Sequence, residues 1–250
     1  ANCGAAVLAL NATVAEQLNL FREEVDALIA KGEAKERALF TVIKRYLKEC
    51  RDIRFDGNGY SEELQQEAEC RGLDIETSVP VMIDQYLREE SVQMFGSTGV
   101  LNRAELLARS EVKWENYSMK LQIESRVLGD LVINHIIPAA KRYQNVLLQK
   151  VVGVKQVFSE SDAAALNEQD MQLIRRIENH TGAIVAKVEE MNRERAHANH
   201  VDNQRERAIT FHDKVVPLME NVRSHVDDLE MVIDDQLWPL PKYRELLFIH

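Results

Sequence analysis

Between Ile174 and Met191, the residues Ile174, Ile177, Thr181, Ile184, Val188 and Met191 fall at alternating steps of three and four. Only a helix gathers such residues into one stripe, and the alternation is that of a coiled-coil seam. The stripe returns in Ala208, Phe211, Val215, Leu218, Val222, Val226, Leu229 and Ile233. Residues 192–207 lose it, so this polar stretch is the expected tip of a helical hairpin. Chain breakers are scarce, with 10 Gly and 5 Pro in 250 residues. Strand-like alternation is rare as well. The chain therefore reads as all-α: an irregular helical half, then a long antiparallel bundle or hairpin whose short connections favour antiparallel neighbours.

Spacing places a first helix over 5–31, where Val7, Leu10, Val14, Leu18, Phe21, Val25 and Leu28 form one stripe and Gly32 stops it. A second helix is expected over 34–53, with Leu39, Val42, Ile43, Tyr46 and Leu47 on one side. Residues 54–60 read as a turn in which Gly57 and Gly59 supply positive φ. Ser61 caps a short helix to Gly72, and another short helix covers 79–89. Residues 90–101 read as a loop. Asn102 and Glu105 have capping-box spacing for a long helix. Pro138 should kink it, and it resumes over 139–158. Ser159 begins the next helix, and Pro217 should bend the returning one.

Composition removes several function classes. The net charge is −10, which argues against nucleic acid and anionic membranes, since both are held by Lys and Arg. No apolar run approaches the ~20 residues of a membrane span. Three scattered cysteines, Cys3, Cys50 and Cys70, suit reduced thiols in a cytoplasmic protein better than a disulfide framework.

Individual candidates favour structural readings. His197 and His200 share a helical face, but Arg193, Arg195, Arg205 and Arg207 would repel a cation there. His135 reads as a satisfied core or interface histidine. Gly57-Asn58-Gly59 is too short for a phosphate cradle and lacks the Lys-Ser/Thr of a P-loop. Phe95-Gly96-Ser97-Thr98-Gly99 has the composition of an anion-binding loop, but a tight helix connection explains it better. No catalytic, cofactor-binding or metal-binding residue is expected on this basis.

The segment Asp56-Gly57-Asn58-Gly59-Tyr60-Ser61-Glu62-Glu63 resembles a G-N-G-Y-S-E-E loop of the type III glutamine synthetases. Phe95-Gly96-Ser97-Thr98-Gly99-Val100-Leu101-Asn102, Gln122-Ile123-Glu124-Ser125-Arg126-Val127-Leu128-Gly129-Asp130 and Asn134-His135-Ile136-Ile137-Pro138-Ala139-Ala140 resemble further segments of that family. So does the tail Leu237-Trp238-Pro239-Leu240-Pro241-Lys242-Tyr243-Arg244-Glu245-Leu246-Leu247-Phe248-Ile249-His250. The similarities occur in order over nearly the whole chain, and none is a catalytic signature.

The resemblance implies a parent enzyme, a glutamate–ammonia ligase that uses ATP with Mg²⁺ or Mn²⁺. It implies that the catalytic residues lie upstream of Ala1, so that this chain is a C-terminal piece, inactive alone and binding no cofactor. Residues 1–110 would be the helical end of an incomplete catalytic domain. Residues 111–236 would be a bundle peculiar to the type III branch, and 237–250 a Pro/aromatic docking tail. The implied partners are the upstream catalytic portion of the same polypeptide and further copies in stacked rings. Trp238, Leu240, Tyr243, Leu247 and Phe248 are the docking candidates, because aromatic and apolar anchors dominate such contacts. Glu124 and Arg126 are expected as a buried ion pair, with a lesser claim to contact glutamate or nucleotide. Two alternatives stay open: a non-enzymatic helical scaffold, and a small complete enzyme whose site the residues do not reveal.

Overall fold

The computed structural model describes residues 3–59 and 61–247, without the side chains of Tyr243 and Arg244. Among the described residues every regular element is helical. None of these helices is long and apolar enough to cross a membrane. Contacts divide the chain into two compact units, with the boundary along the sequence between Lys113 and Trp114.

In the first unit α1 (Gly4–Ala30) ends at Gly32, whose φ of 96° no other residue adopts cheaply. The Gly32 and Glu33 amides return to the carbonyls of Ile29 and Leu28, closing the last turn. α2 (Lys35–Glu49) folds back on α1 through Val25, Ala38 and Val42, with Phe21 edge-on to Tyr46 at 6.0 Å. It stops four residues short of the expected end. The following turn is fastened from outside: the Arg71 guanidinium donates to the carbonyls of Asp52 (3.1 Å) and Arg54 (2.6 Å).

Neither Gly57 nor Gly59 has the positive φ expected of it. Gly57 answers a different need, since a Cβ there would sit 2.8 Å from the Phe55 ring. Ser61 caps α3 (Glu62–Cys70) by accepting from the Leu64 amide at 3.3 Å. Pro80 lies in the first turn of α4 (Val79–Ile83), which tightens into a 3-10 turn over Asp84–Leu87.

The expected loop at 90–101 is mostly helix. α5 (Glu89–Ser97) is pinned by Phe95, which is fully buried against Ala12, Leu101 and Leu106. Gly99, at φ 67°, closes α5 as Gly32 closes α1, with the Val100 amide bonded to the Phe95 carbonyl at 3.0 Å. The glycines that read as a loop are thus a helix end, and only Thr98 to Asn102 lies outside helix.

α6 (Arg103–Leu131) begins with the anticipated capping box. The Glu105 amide donates to Asn102 Oδ1 at 3.0 Å, and the Asn102 amide donates to Glu105 Oε2 at 2.8 Å. Asn102→Ala should destabilise the helix start by about 1 kcal/mol. Faster hydrogen exchange at the Glu105 amide would report it, and unchanged exchange would contradict the cap.

The second unit is built on α8 (Glu160–Asn199), a helix of 40 residues. Its buried positions Ile174, Ile177, Thr181, Ile184, Val188 and Met191 are those of the sequence stripe. α7 (Ile137–Val157) packs on one side of α8 and α10 (Val216–Glu230) on another. Val132, Ile136, Leu147, Val151, Phe211, Val215, Val222 and Leu229 complete the core. The hairpin tip is narrower than expected. α8 runs through Ala198, a buried seam position too small to register as a stripe, and α9 (Gln204–Thr210) starts from Asn203, which accepts from the Glu206 amide at 3.0 Å.

Pro138 and Pro217 do not interrupt their helices. Each follows a π turn, Val132–Ile136 and Phe211–Val215 respectively. The Ile137 amide reaches back five residues to Val132, and the Val216 amide to Phe211. The widened turn moves aside the carbonyls that each proline ring would strike and that its missing N–H would leave unbonded.

Candidate functional site

The α8–α10 contact brings together polar groups that lie 45 residues apart in the chain. His180 projects from α8 beside the seam position Thr181, and His225 and Asp228 lie three residues apart on α10. The two imidazoles face each other with Nδ1 atoms 3.0 Å apart. His180 Nδ1 lies 3.8 Å from Asp228 Oδ2, and Arg176 Nη2 lies 3.7 Å from the other carboxylate oxygen. Burial holds His180 below the ordinary histidine value; Asp228 pulls the other way, while His225 and Arg176 add to the lowering. No spacing rule finds this group in sequence, because it exists only in one register of α8 against α10. The histidines that spacing did single out, His197 and His200, lie exposed near the tip, with His200 Nδ1 2.7 Å from the Ala196 carbonyl. His135, expected in an apolar setting, is exposed on the outer side of its π turn.

The docking candidates separate. Trp238 is 8% exposed and belongs to the chain's own second core, with Leu237 and Leu240 packed against it. The chain folds back there because the Leu237 and Trp238 amides both donate to the Asp234 carbonyl. Lys242 Nζ then donates to the Glu230 carbonyl at 3.0 Å, at the negative end of α10. Leu246 and Leu247, in α11 (Tyr243–Leu247), remain exposed. Phe248 and the Tyr243 side chain lie outside what the structure describes.

Glu124 and Arg126 do not form the expected buried pair. Two residues apart on α6, they project about 200° from each other, and both are exposed. Arg126 instead approaches the half-buried Arg195, whose pKa is lowered by burial first and by Arg126 second. Arg195 Nη1 has no hydrogen-bond partner.

The two glycine-bearing segments do not fit a nucleotide phosphate. Around the turn at 54–59 the Asp52 and Arg54 carbonyls accept from Arg71. The 95–99 segment is a helix C-terminus, where carbonyls and the negative dipole end repel an anion. Thr98 Oγ1, the hydroxyl that would serve a phosphate, donates to the Met94 carbonyl at 2.8 Å.

α1 departs from an ordinary helix surface. Val7, Leu10, Val14 and Leu18, at steps of three and four, are all at least 50% exposed. The lower part of the same stripe is covered, with Val25 buried and Phe21 and Leu28 packed beside it. α6 shows a second such row in Met119, Ile123 and Val127.

Residues 38–155 match the model of the glutamine synthetase C-terminal domain family. Over 99% of its length the chain is 45% identical to a glutamine synthetase of Bacteroides fragilis, and over 97% it is 28% identical to a type-3 glutamine synthetase of Dictyostelium discoideum. A glutamine synthetase of Butyrivibrio fibrisolvens is 25% identical over 91% of the chain. The chain spans about a third of the length of these relatives, 34%, 33% and 33% respectively. The family match identifies residues 38–155 as a glutamine synthetase C-terminal domain, and the relatives, a type-3 enzyme among them, carry the similarity over nearly the whole chain.

Proposed function

We propose that this chain is the structural C-terminal portion of a type III glutamine synthetase, supporting the catalytic part and helping subunits assemble. The parent reaction is ATP-dependent ligation of ammonia to glutamate, with Mg²⁺ or Mn²⁺ at catalytic residues supplied from elsewhere in the longer polypeptide. The compartment in this reading is the cytoplasm. Residues 1–110 end the catalytic domain, 111–236 form the branch-specific bundle, and 237–250 complete the assembly surface.

The observation that carries this reading is the bare stripe of α1. Four large aliphatic residues on one helix face are not left in water unless something covers them. Their continuity with the covered stripe below suits a helix half packed in this chain and half packed on an upstream segment. The row Met119, Ile123 and Val127 and the exposed Leu246 and Leu247 are the corresponding features for contacts between copies.

The decisive variant is Leu10→Ser with Leu18→Ser. In the 250-residue chain it should leave helicity and thermal stability unchanged within about 0.5 kcal/mol, since both side chains are exposed. In the full polypeptide it should reduce soluble, active ligase at least tenfold, as burial of two leucines is lost. Full ligase activity and an intact oligomer in that variant would overturn the buttressing role and favour the scaffold reading.

A further inference from the structure

The group between α8 and α10 has the composition of a cation site. Two imidazoles and one carboxylate, from two helices, present ligand atoms that all lie within 4.8 Å of one another. We propose that His180, His225 and Asp228 bind a transition-metal cation of the zinc class, and that the bound ion clips α8 to α10.

Three features support the assignment. The first is distance. Two nitrogens bound at about 2.0–2.1 Å in tetrahedral geometry stand roughly 3.3 Å apart, and the Nδ1 atoms are at 3.0 Å. Opening the pair by a few tenths of an ångström, through small rotations of half-buried rings, makes room for an ion. The second is donor type. Imidazole nitrogen suits Zn²⁺, Cu²⁺ or Ni²⁺, whereas Mg²⁺ and Ca²⁺ require mostly oxygen ligands.

The third is orientation of the carboxylate. Arg176 lies beside Asp228 Oδ1, which leaves Oδ2 turned toward the histidines. A partner that fixes a ligating carboxylate from behind is the usual arrangement around a protein metal. The Arg176 charge opposes the cation, but it is spent largely on the oxygen that the metal does not need. Three protein ligands leave a fourth position for water. His225 and Asp228, one helical turn apart, share a face of α10, so an ion held by both can reach His180 without distorting either helix.

The competing arrangement is a shared proton, one Nδ1–H donating to the other ring. The two are separated by titrating the 250-residue chain with ZnCl₂ and with MgCl₂ in a calorimeter, and by following its thermal midpoint. One Zn²⁺ per chain is expected, with a rise in the midpoint that Mg²⁺ does not reproduce. His180→Gln and His225→Gln should each weaken zinc binding at least tenfold. The double variant His197→Gln, His200→Gln should leave it unchanged, removing the exposed histidines as the source. If a Gln variant does not fold, Co²⁺ bound to the unaltered chain should give the visible absorption of a four-coordinate site, which Asp228→Asn diminishes. Absence of zinc binding in the unaltered chain, or binding that survives His180→Gln and His225→Gln, overturns the proposal and leaves the shared proton.

Discussion

Phe211→Ala should lower the stability of the second unit by about 3–5 kcal/mol, the range for removing a buried aromatic ring. Phe211 is completely buried and opens the π turn that carries the returning helix past Pro217. Its ring meets a core closed on other sides by large residues, among them Ile184, Val215 and Leu229, all fully buried. Little collapse is available to fill the space, so the cavity contribution adds to the lost transfer energy. Val157→Ala serves as the control: that side chain is 77% exposed and should change stability by no more than about 0.5 kcal/mol. Urea denaturation of the two variants measures both. A loss below about 1 kcal/mol for Phe211→Ala would contradict the packing.

Trp238→Ala is the second large effect, with an expected loss of about 3 kcal/mol. The tail was expected to place this indole on a partner, and the structure spends it inside the chain. Leu247→Ser should leave the stability of the 250-residue chain within about 0.5 kcal/mol, because Leu247 is exposed. Its effect, on the assembly reading, belongs to the oligomer of the full polypeptide. Truncation after Gln236 would remove both residues and confuse unfolding with disassembly. Substituting each singly, and comparing denaturation of the chain with light scattering of the parent, separates the two. Equal loss of stability in both variants would mean that α11 packs on the core after all.

These residues also show what the sequence reveals. The seam of α8 was legible because a 3.6-residue period leaves an unmistakable record when large aliphatic residues fill it. The caps at Ser61, Asn102 and Ser159 were legible because their chemistry is local: each side chain bonds a backbone amide three residues on. α5 was misread because Gly96 and Gly99 look alike in sequence, although only Gly99 needs its positive φ. The hairpin tip was misread because Ala198 fills a seam position without adding much hydrophobicity. Position along the chain gave no warning that Trp238 turns inward, since that depends on the fold-back at Asp234. The His180–His225 pair was illegible for the strongest reason: it depends on how two helices slide past each other, and no local pattern encodes that.

The two π turns bear on how chains of this kind can change length. A π turn holds one residue more than the α turn it replaces. Deleting one residue from Val132–Ile136 would restore an ordinary α turn with the helix beyond it on nearly its present face, but Pro138 would then strike the carbonyl that the wider turn moves aside. Leu147 and Val151 would still meet α8, and the cost would fall on the backbone at the proline. The same holds for Phe211–Val215 and the seam residues Val222 and Leu229. A residue gained or lost between His200 and Asn203, in the turn at the tip, meets no such constraint. Insertions and deletions in descendants of this sequence are therefore sorted by place: tolerated at the tip, and costly in the two segments ahead of Pro138 and Pro217, where the additional residue is what lets a proline sit inside a helix.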